Sequence, residues 1–583
     1  MTEGLADDPD LAWVETPDRL SALLFQAKVA VFQTRRAVLD LTAGLKRLEA
    51  GPAPDDWVTV GLSRTPLWSD DRSREHRHQR GKVENLRRAA AAIGQGLLPA
   101  GQVFSFWRHV GRASRRRGFV DGRMLKEGCL LPAIGGGLCQ MSNGLYDAAL
   151  QAGCDIVERH GHSRIVPGSA AEHGQDATVA WNYVDLRFRS GSPLHLEVVL
   201  EKDMLVVQVR APAPRKATTP VASPAPPVAS SCDSCGREAC FRHAPAHPAS
   251  PSGRRVWLVD ETWPELVAWH RGMRGAGDVL GAPLDGERWS LPRYAWPRAG
   301  LARTASGAAL ARALAVRRHA RAGPRLRRAD LAGSAAVASR LERLMTPDDL
   351  DVVVAQSLLP ALWRSGRLGG RRFSVLMTRT PMAVLHARLD AAHTQAPDQA
   401  SLRDFRADPA LVDAETAALA AASRIITPHA GIAALFPDRA ELLDWIRPAV
   451  TAPVGPPRRR VAFPGPTAFR KGAGVVRDLA LALDLEVVLT GALLEGPAFW
   501  NGVRTLRPEG DWLEGVAVVV QPAVVEDCPR PLLAALAAGV PVVATPACGL
   551  QPQPGLTLLA DTTPDVLAAV VRSIVPPAMS VDV

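Results

Sequence analysis

The chain has 583 residues, of which 47% are hydrophobic and 22% charged, with a formal net charge of +10 at pH 7. This length predicts two or three domains, and the composition is ordinary for a globular protein. Arginine supplies 62 of the 69 basic residues. The positive charge therefore follows a bias towards arginine, and we expect no nucleic-acid partner.

The first residues are acidic and polar, so we expect no secretory signal. No window approaches the roughly 18 consecutive apolar residues that a transmembrane helix needs. We therefore expect a cytoplasmic protein without a membrane span, and peripheral contact with an acidic membrane surface stays open. In that compartment the eight cysteines are expected to be thiols, metal ligands or a nucleophile, and not a disulfide framework.

Residues 1–211 predict a domain of the α+β class. Apolar spacing predicts helices over 15–49 and 82–93 and a third that begins near Cys139 and stops at Gly153. Alternating patterns predict strands, with a hairpin at the end of the domain. The predicted strands cover 155–166, 177–189, 194–200 and 204–209.

Cys139 is the first candidate for chemistry. It follows three consecutive glycines and opens a helix, where free backbone N–H groups and the helix dipole favour a thiolate. His160 and His162 follow on one face of a predicted strand and either would accept the thiol proton. Asp185 or Asn182 would orient the imidazole. The pattern predicts a Cys–His hydrolase or acyl-transferase.

Two other interpretations of this region stay open. Cys139, His160 and His162 are also a possible set of metal ligands. Alternatively, Cys139 is a small buried residue and the histidines bond to the backbone. Cys129 and Cys154 are expected to be packing residues.

Residues 212–254 are rich in Pro, Ala and Ser, which predicts an extended linker. Four potential thiolate and imidazole ligands within twelve residues of it predict a small zinc site. An iron–sulfur site and unliganded thiols are the alternatives, and His247 is an alternative fourth ligand. The predicted ligands are Cys232, Cys235, Cys240 and His243.

From residue 255 the pattern changes to apolar strands separated by segments of helical length. This alternation predicts an α/β module with parallel sheets, divided into two Rossmann-like lobes over 255–450 and 451–583. The predicted strands cover 256–259, 350–354, 373–377, 424–427, 461–463, 486–490, 516–520 and 540–545.

The first module resembles the VanW family, named from vancomycin-resistance clusters. The match runs from about 85 to 209, and several motifs occur in the family's order. The resemblance implies a link to the bacterial envelope or to glycopeptide resistance, without supplying a reaction. The motifs are residues 104–107 followed by Val110 and Gly111, then 134–143, 158–163 and 177–185.

The second module is similar to the two-lobed (GT-B-like) glycosyltransferases of the retaining type. The segments that carry the similarity are 351–360, 415–428, 469–472 and 525–545. The resemblance implies a nucleotide-sugar donor and a small-molecule or glycoconjugate acceptor. Arg470 and Lys471 would stabilise the donor diphosphate, and Glu526 would hold sugar or ribose hydroxyls.

This chain departs from that family at one acidic position. The family has a second acidic residue where this chain has Ala534, which accepts no hydrogen bond from a ribose. The sequence thus predicts a VanW-like protein with a hexosyltransferase acting on a cell-envelope or glycoconjugate precursor. The alternatives are a non-catalytic glycan- or precursor-binding protein linked to glycopeptide resistance and a different α/β enzyme.

Overall fold

The computed structural model describes residues 19–68, 76–126, 129–162, 176–217, 254–298, 300–319, 323–449 and 456–577. The chain forms two compact units. Unit 1 comprises Met1–Arg254 together with two later segments, Met345–Asp351 and Arg364–Arg372. Unit 2 comprises the remaining residues from Arg255 onward.

Unit 1 is of the α+β class, as the sequence predicted. Its main sheet is antiparallel with the strand order β1-β3-β9-β10-β2, and α2 and α4 pack on it. Small sheets β4–β8–β7 and β5–β6 complete the described part. The elements are α1 (Arg19–Thr42), β1 (Glu49–Ala50), β2 (Val58–Pro66), α2 (His76–Ile93), β3 (Gln95–Leu98), β4 (Val103–Ser105), α3 (Phe106–Val110), β5 (Asp121–Lys126), β6 (Cys129–Ile134), α4 (Leu138–Gln151), β7 (Asp155–Glu158), β8 (Arg187–Arg189), β9 (Leu194–Glu201) and β10 (Met204–Ala211).

The predicted helix at Cys139 and the terminal hairpin are confirmed. Helix α4 is followed by Gly153 with a φ of 66°, and β9 pairs with β10 across a turn at Lys202. Two strand predictions were too long. Strand β7 ends at Glu158, and the predicted strand over 177–189 is interrupted by a turn at Asn182, whose φ of 57° is left-handed.

A buried ionic cluster explains why two later segments belong to unit 1. Glu84 on α2 bonds to Arg87 on the same helix, and at 2.7 Å to Arg367. The Arg371 guanidinium donates to the carbonyls of Asp349 and Thr346. Burial opposes ionisation of Glu84, yet the surrounding guanidinium groups lower its pKa to about 2.

Unit 2 contains two parallel sheets in two lobes, which confirms the predicted α/β class with Rossmann-like lobes. The first sheet has the order β13-β12-β11-β14-β15-β16-β17 and the second β20-β19-β18-β21-β22-β23. The elements are β11 (Arg255–Leu258), α5 (Pro264–Met273), β12 (Val279–Ala282), β13 (Leu301–Thr304), α6 (Ser306–Arg318), α7 (Gly323–Leu341), β14 (Asp351–Ala355), α8 (Leu359–Arg364), β15 (Arg372–Leu376), α9 (Met382–Gln395), α10 (Pro409–Ala421), β16 (Arg424–Thr427), α11 (Ala430–Ala433), β17 (Ala440–Leu442), β18 (Arg460–Phe463), α12 (Ala473–Leu483), β19 (Glu486–Leu489), β20 (Arg504–Leu506), β21 (Val518–Gln521), α13 (Arg530–Ala537), β22 (Val542–Ala544), β23 (Leu556–Leu558) and α14 (Pro564–Ile574).

We refer to residues 255–449 as the first lobe and 456–577 as the second lobe; the junction between them that the sequence predicted lies largely outside the described residues. In the described part of the chain, no helix combines the length and apolarity required to cross a membrane.

Candidate functional site

The glycine turn before Cys139 is fixed by close backbone packing. A Cβ on Gly136 would lie 2.2 Å from the Gly122 carbonyl oxygen, so only glycine fits there. Asn85 on α2 donates to the Gly136 carbonyl at 2.9 Å and to the Val120 carbonyl at 3.0 Å. The turn therefore holds the start of α4, and with it Cys139, in one position.

Helix α4 also holds the segment that faces Cys139. Asn143 accepts a hydrogen bond from the Ala177 backbone N–H at 2.8 Å, and Ser142 donates to the Ala177 carbonyl at 2.5 Å. These bonds bring Thr178 to the half-buried Cys139, whose sulfur lies 3.5 Å from the Thr178 hydroxyl.

His162 joins this group. Its Nδ1 lies 2.5 Å from Oδ1 of Asp176, and Oδ2 of the same carboxylate accepts the His162 backbone N–H at 2.5 Å. Its Nε2 lies 3.3 Å from the Thr178 hydroxyl, which in turn lies 3.5 Å from the Cys139 sulfur. Thiol, imidazole and carboxylate thus follow one another in the order that nucleophilic cysteine sites use.

The electrostatics favour a thiolate–imidazolium pair. Burial alone would raise the pKa of Cys139, but the hydrogen bond and charge of His162, with help from Thr178 and the Val179 N–H, lower it. Burial alone would lower the pKa of His162, but bonds to Asp176 and Cys139 raise it to about 10. Both shifts therefore favour the thiolate–imidazolium form of the pair.

The structure separates the other residues predicted for this site. The His160 ring is half exposed and lies 3.3 Å from Glu158. Asp185 accepts hydrogen bonds from Ser105 at 2.6 Å and from Arg187 at 2.8 Å, so it organises the strand ends and does not orient an imidazole.

Asn182 and Cys154 also make their contacts outside the group formed by Cys139, His162 and Asp176. Asn182 donates from a turn to the Gln33 carbonyl at 3.1 Å. Cys154 is fully buried, and burial raises the pKa of its thiol to about 11, as expected for a packing residue. Two residues of this group were not predicted from the sequence: Thr178 and Asp176, which lies beyond a stretch outside the described residues.

The structure gives no support to a metal site at Cys139. Among the residues that the structure describes, no group of three or more His, Cys, Asp or Glu side chains could hold a metal ion. His160 and His162 have different carboxylate partners, Glu158 and Asp176. The predicted zinc ligands, Cys232, Cys235, Cys240 and His243, lie outside the described residues.

In the second lobe the structure brings Arg470, Lys471 and Glu526 together. The short turn before α12 ends at Gly472, whose φ of 90° and contact with Pro522 require glycine. Lys471 pairs with Glu526 at 2.9 Å, and the other oxygen of this carboxylate accepts the Cys528 backbone N–H at 3.0 Å.

Arg470 is the unusual member of this group. Its side chain is 8% exposed, and its guanidinium carbon lies 4.3 Å from the ring centroid of Phe405 in the first lobe. Its Nη1 atom is buried without a hydrogen-bond partner in the described part of the chain. Burial lowers the pKa of Arg470, and Asp404 and Glu526 counteract this effect through their charge.

Direct contacts join the two lobes near this group. Arg530 forms a bidentate pair with the fully buried Glu265, at 2.7 and 2.6 Å, and Asp527 accepts from the Thr380 hydroxyl at 2.6 Å. A cavity of about 250 Å³ adjoins Asp527 and is lined mainly by first-lobe side chains. This cavity was not predicted from the sequence, nor was its Asp260, which is paired with Arg312 at 2.6 Å.

Comparison with known proteins confirms the resemblance of the first module. Residues 81–210 match the family model described as "VanW like protein". The vancomycin B-type resistance protein VanW of Enterococcus faecalis (strain ATCC 700802 / V583) is 34% identical over 139 residues, which are 23% of this chain and 50% of that protein. The uncharacterized protein YoaR of Bacillus subtilis (strain 168) is 35% identical over 122 residues, 21% of this chain and 37% of that protein. The chain thus spans half or less of the length of these relatives.

Solved structures similar to this chain include the galactosyltransferase WaaB of the lipopolysaccharide outer core (TM-score 0.32, 12% identity, covering 55% of this chain and 90% of that one). Sucrose-phosphate synthase from Thermosynechococcus elongatus gives a TM-score of 0.35 at 14% identity, with 55% and 89% covered. Anabaena HepE in complex with UDP gives 0.32 at 14% identity, with 55% and 89% covered. These scores are low, and the two-lobed assignment rests on the parallel sheets described above.

Proposed function

We propose that the part of the chain from Arg255 onward transfers a hexosyl group from a nucleotide sugar to a cell-envelope or glycoconjugate precursor. The observation that carries this proposal is Arg470, a buried guanidinium with an Nη1 atom that lacks an acceptor among the described residues. A buried guanidinium nitrogen without an acceptor is costly, and the diphosphate of a nucleotide sugar would accept a charge-assisted hydrogen bond from it.

Lys471 and Glu526 would contact two different parts of the donor. The Lys471 ammonium adds positive charge for the diphosphate, and Glu526, already held by Lys471 and the Cys528 N–H, would accept from hydroxyls of the transferred sugar. In the transfer the bond between the sugar carbon and the phosphate oxygen breaks, and a bond to an acceptor hydroxyl oxygen forms. The hydroxyl proton goes to the departing diphosphate.

The alanine at position 534 fits a site that binds the donor mainly through its phosphates. A methyl group offers no acceptor to a ribose hydroxyl, so a larger share of the donor affinity falls on Arg470 and Lys471. We therefore expect limited discrimination between nucleosides and a severe effect of removing the Arg470 charge.

Turnover of nucleotide sugars tests this proposal. The full chain is incubated with UDP-, GDP-, ADP- and dTDP-hexoses, and release of the nucleoside diphosphate is followed by chromatography. We expect release from at least one donor, at least tenfold slower in Arg470→Met and unchanged in the control Arg504→Met, which alters an exposed arginine of the same lobe. Equal rates in both variants would exclude a donor role for Arg470.

We propose a second activity, acyl transfer or hydrolysis by the VanW-like domain, because of the geometry of Cys139, His162 and Asp176. The Cys139 thiolate would attack a carbonyl carbon and form a thioester, while the protonated His162 gives its proton to the leaving group. Water or an acceptor then breaks the thioester. The Cys139 backbone N–H has no acceptor in the described part of the chain and would donate to the oxyanion.

Selective alkylation tests this second proposal. Iodoacetamide should modify Cys139 in the native chain at neutral pH, while the buried Cys154 and Cys548 react only after unfolding. Peptide mass spectrometry separates these sites. A Cys139 that reacts only in the unfolded chain would rule out a nucleophilic role.

Zinc binding by Cys232, Cys235, Cys240 and His243, and a cytoplasmic, bacterial location, stay predictions from the sequence. The zinc prediction is tested by metal analysis of the purified chain. One equivalent of zinc, lost in a Cys232→Ser/Cys235→Ser variant, is the expected result.

A further inference from the structure

Helix α1 contacts the rest of unit 1 through polar side chains. Its described half-buried residues recur at Val29, Gln33, Arg36 and Asp40, which is one narrow stripe of the helix. Hydrogen bonds of three side chains hold this stripe. They join Gln33 to the Trp181 carbonyl (3.1 Å), Arg36 to Glu158 (2.6 Å) and Asp40 to Arg187 (2.7 Å).

The apolar side chains of α1 are therefore turned away from the domain. Nine large ones are between 42% and 85% exposed, which reverses the usual arrangement of a surface helix. The largest apolar patch of a monomeric protein is typically about 300–600 Å², and such patches often mark interaction sites. The nine side chains are Leu20, Leu23, Leu24, Phe25, Val31, Phe32, Val38, Leu39 and Leu41.

The outward residues follow a seven-residue repeat. In the notation abcdefg, positions a and d form the seam of a coiled coil, and valine at a with leucine at d favours two parallel strands. Six of the seven a and d residues of α1 are apolar, and the seventh is threonine. Positions a are Leu24, Val31 and Val38, and positions d are Leu20, Ala27, Thr34 and Leu41.

The positive charges on the apolar face of α1 indicate which kind of partner covers it. Lys28 and Arg35 are exposed at e positions, directly beside the seam. In a parallel pair they meet g positions of the partner, which are apolar here, whereas an antiparallel pair would place them against each other. A helix that lies flat on a lipid surface carries its basic residues on the polar face, whereas Lys28 and Arg35 lie among the exposed apolar side chains.

We propose that α1 is a dimerisation helix that pairs in parallel with α1 of a second copy of this chain. Six of the nine exposed side chains stand at a, d or g positions, and at roughly 100 Å² each they supply about 600 Å² per partner, the lower end of a standard interface. The pairing is isologous, because each copy presents the same seam. It is independent of both proposed activities, since α1 contributes no atom to either site.

Sedimentation of the full chain at micromolar concentration tests the pairing. We expect a dimer for the unaltered chain and for Gln26→Asp, an exposed non-seam position, and at least a tenfold higher dissociation constant for Val31→Asp. Circular dichroism checks that the variants keep their helix content. A monomeric unaltered chain, or a Val31→Asp variant that dimerises normally, would overturn the proposal.

Cross-linking tests the orientation with variants that leave the seam apolar. Mild oxidation should link Val31→Cys into a covalent dimer, because equivalent a positions face each other in a parallel pair. Neither Gln26→Cys nor the unaltered chain should link. Absence of the link in Val31→Cys would overturn the parallel arrangement. Binding of the chain to vesicles of anionic lipid that Val31→Asp abolishes would show that a lipid surface, and not a second copy, covers this face.

Discussion

Nδ1 of His162 lies 2.5 Å from Oδ1 of Asp176, and the carboxylate is almost fully buried. This bond requires a proton on Nδ1 and directs Nε2 towards Cys139 and Thr178. A buried carboxylate of this kind stabilises the imidazolium and, through it, the thiolate. Asp176 is therefore the residue on which the reactivity of Cys139 depends.

Replacement of Asp176 by asparagine should make Cys139 less nucleophilic. A charge-assisted hydrogen bond contributes about 1.5–3 kcal/mol, so we expect the alkylation rate of Cys139 at pH 7 to fall about tenfold or more. Peptide mass spectrometry after timed exposure to iodoacetamide measures this rate. Asp155→Asn, which alters an exposed carboxylate of the same unit, is the control, and equal rates in the two variants would contradict the role of Asp176.

The alkylation rate of Cys139 should depend less steeply on pH between 7 and 9 in the unaltered chain than in His162→Ala. Burial raises the pKa of Cys139 but His162 lowers it below its ordinary value, and the pKa of His162 is itself raised to about 10, so the imidazolium supports the thiolate throughout this window. In His162→Ala only burial acts on the thiol, so the rate should rise roughly tenfold per pH unit across the window. An equally steep rise in the unaltered chain would show that no ion pair forms.

Replacement of Lys82 by methionine should stabilise unit 1. Lys82 is 7% exposed, and burial followed by the charge of Arg123 lowers its pKa from 10.5 to about 8. Holding its charge at pH 7 therefore costs about 3 kcal/mol, and the methionine variant should recover about 1–3 kcal/mol of unfolding free energy. Urea unfolding measures the gain.

The pH dependence of this gain follows from the sign of the shift. Below pH 8 Lys82 is charged in both the folded and the unfolded state, so the folded state bears the full free-energy cost of the buried charge. Between pH 8 and 10.5 only the unfolded state keeps the proton, and the stability of the unaltered chain rises. The advantage of Lys82→Met should fade over that range, and Lys46→Met, at an exposed position, should show no advantage at any pH.

The pair between Arg530 and Glu265 should show a large double-mutant coupling. Glu265 is fully buried, so Arg530→Met leaves an uncompensated carboxylate and should destabilise unit 2 by about 3 kcal/mol. Adding Glu265→Gln removes the charge, and the double variant should be more stable than Arg530→Met alone. Thermal unfolding of the three variants measures the coupling, and strictly additive effects would contradict it.

The sequence predicted the central strands of unit 2 and missed most of the peripheral ones. Strands β11, β14, β15, β16, β18, β19, β21 and β22 were all located within about two residues, because strands buried on both faces form apolar runs. Those missed are β12, β13, β17, β20 and β23, which include every edge strand of the two sheets. An edge strand such as Leu301–Thr304 is largely exposed and carries no such signal.

The candidate thiol site was predicted in part. The glycines before Cys139 indicated a helix start, and His162 was one of two candidate bases. The role of Asp176 could not be inferred, because no periodic pattern connects this residue to His162. Asp185 was predicted instead, from an alternating strand pattern that the turn at Asn182 interrupts. Side-chain pairing across irregular backbone depends on tertiary packing, which spacing alone does not contain.

Calorimetric titration of the full chain with nucleotide sugars tests the central claim, that Arg470 and Lys471 bind a donor diphosphate. We predict measurable binding of at least one donor and of its nucleoside diphosphate, weakened about 10- to 100-fold in Arg470→Met and unchanged in Arg504→Met. Absence of binding by every donor, or equal affinity in the Arg470→Met variant, would contradict the account.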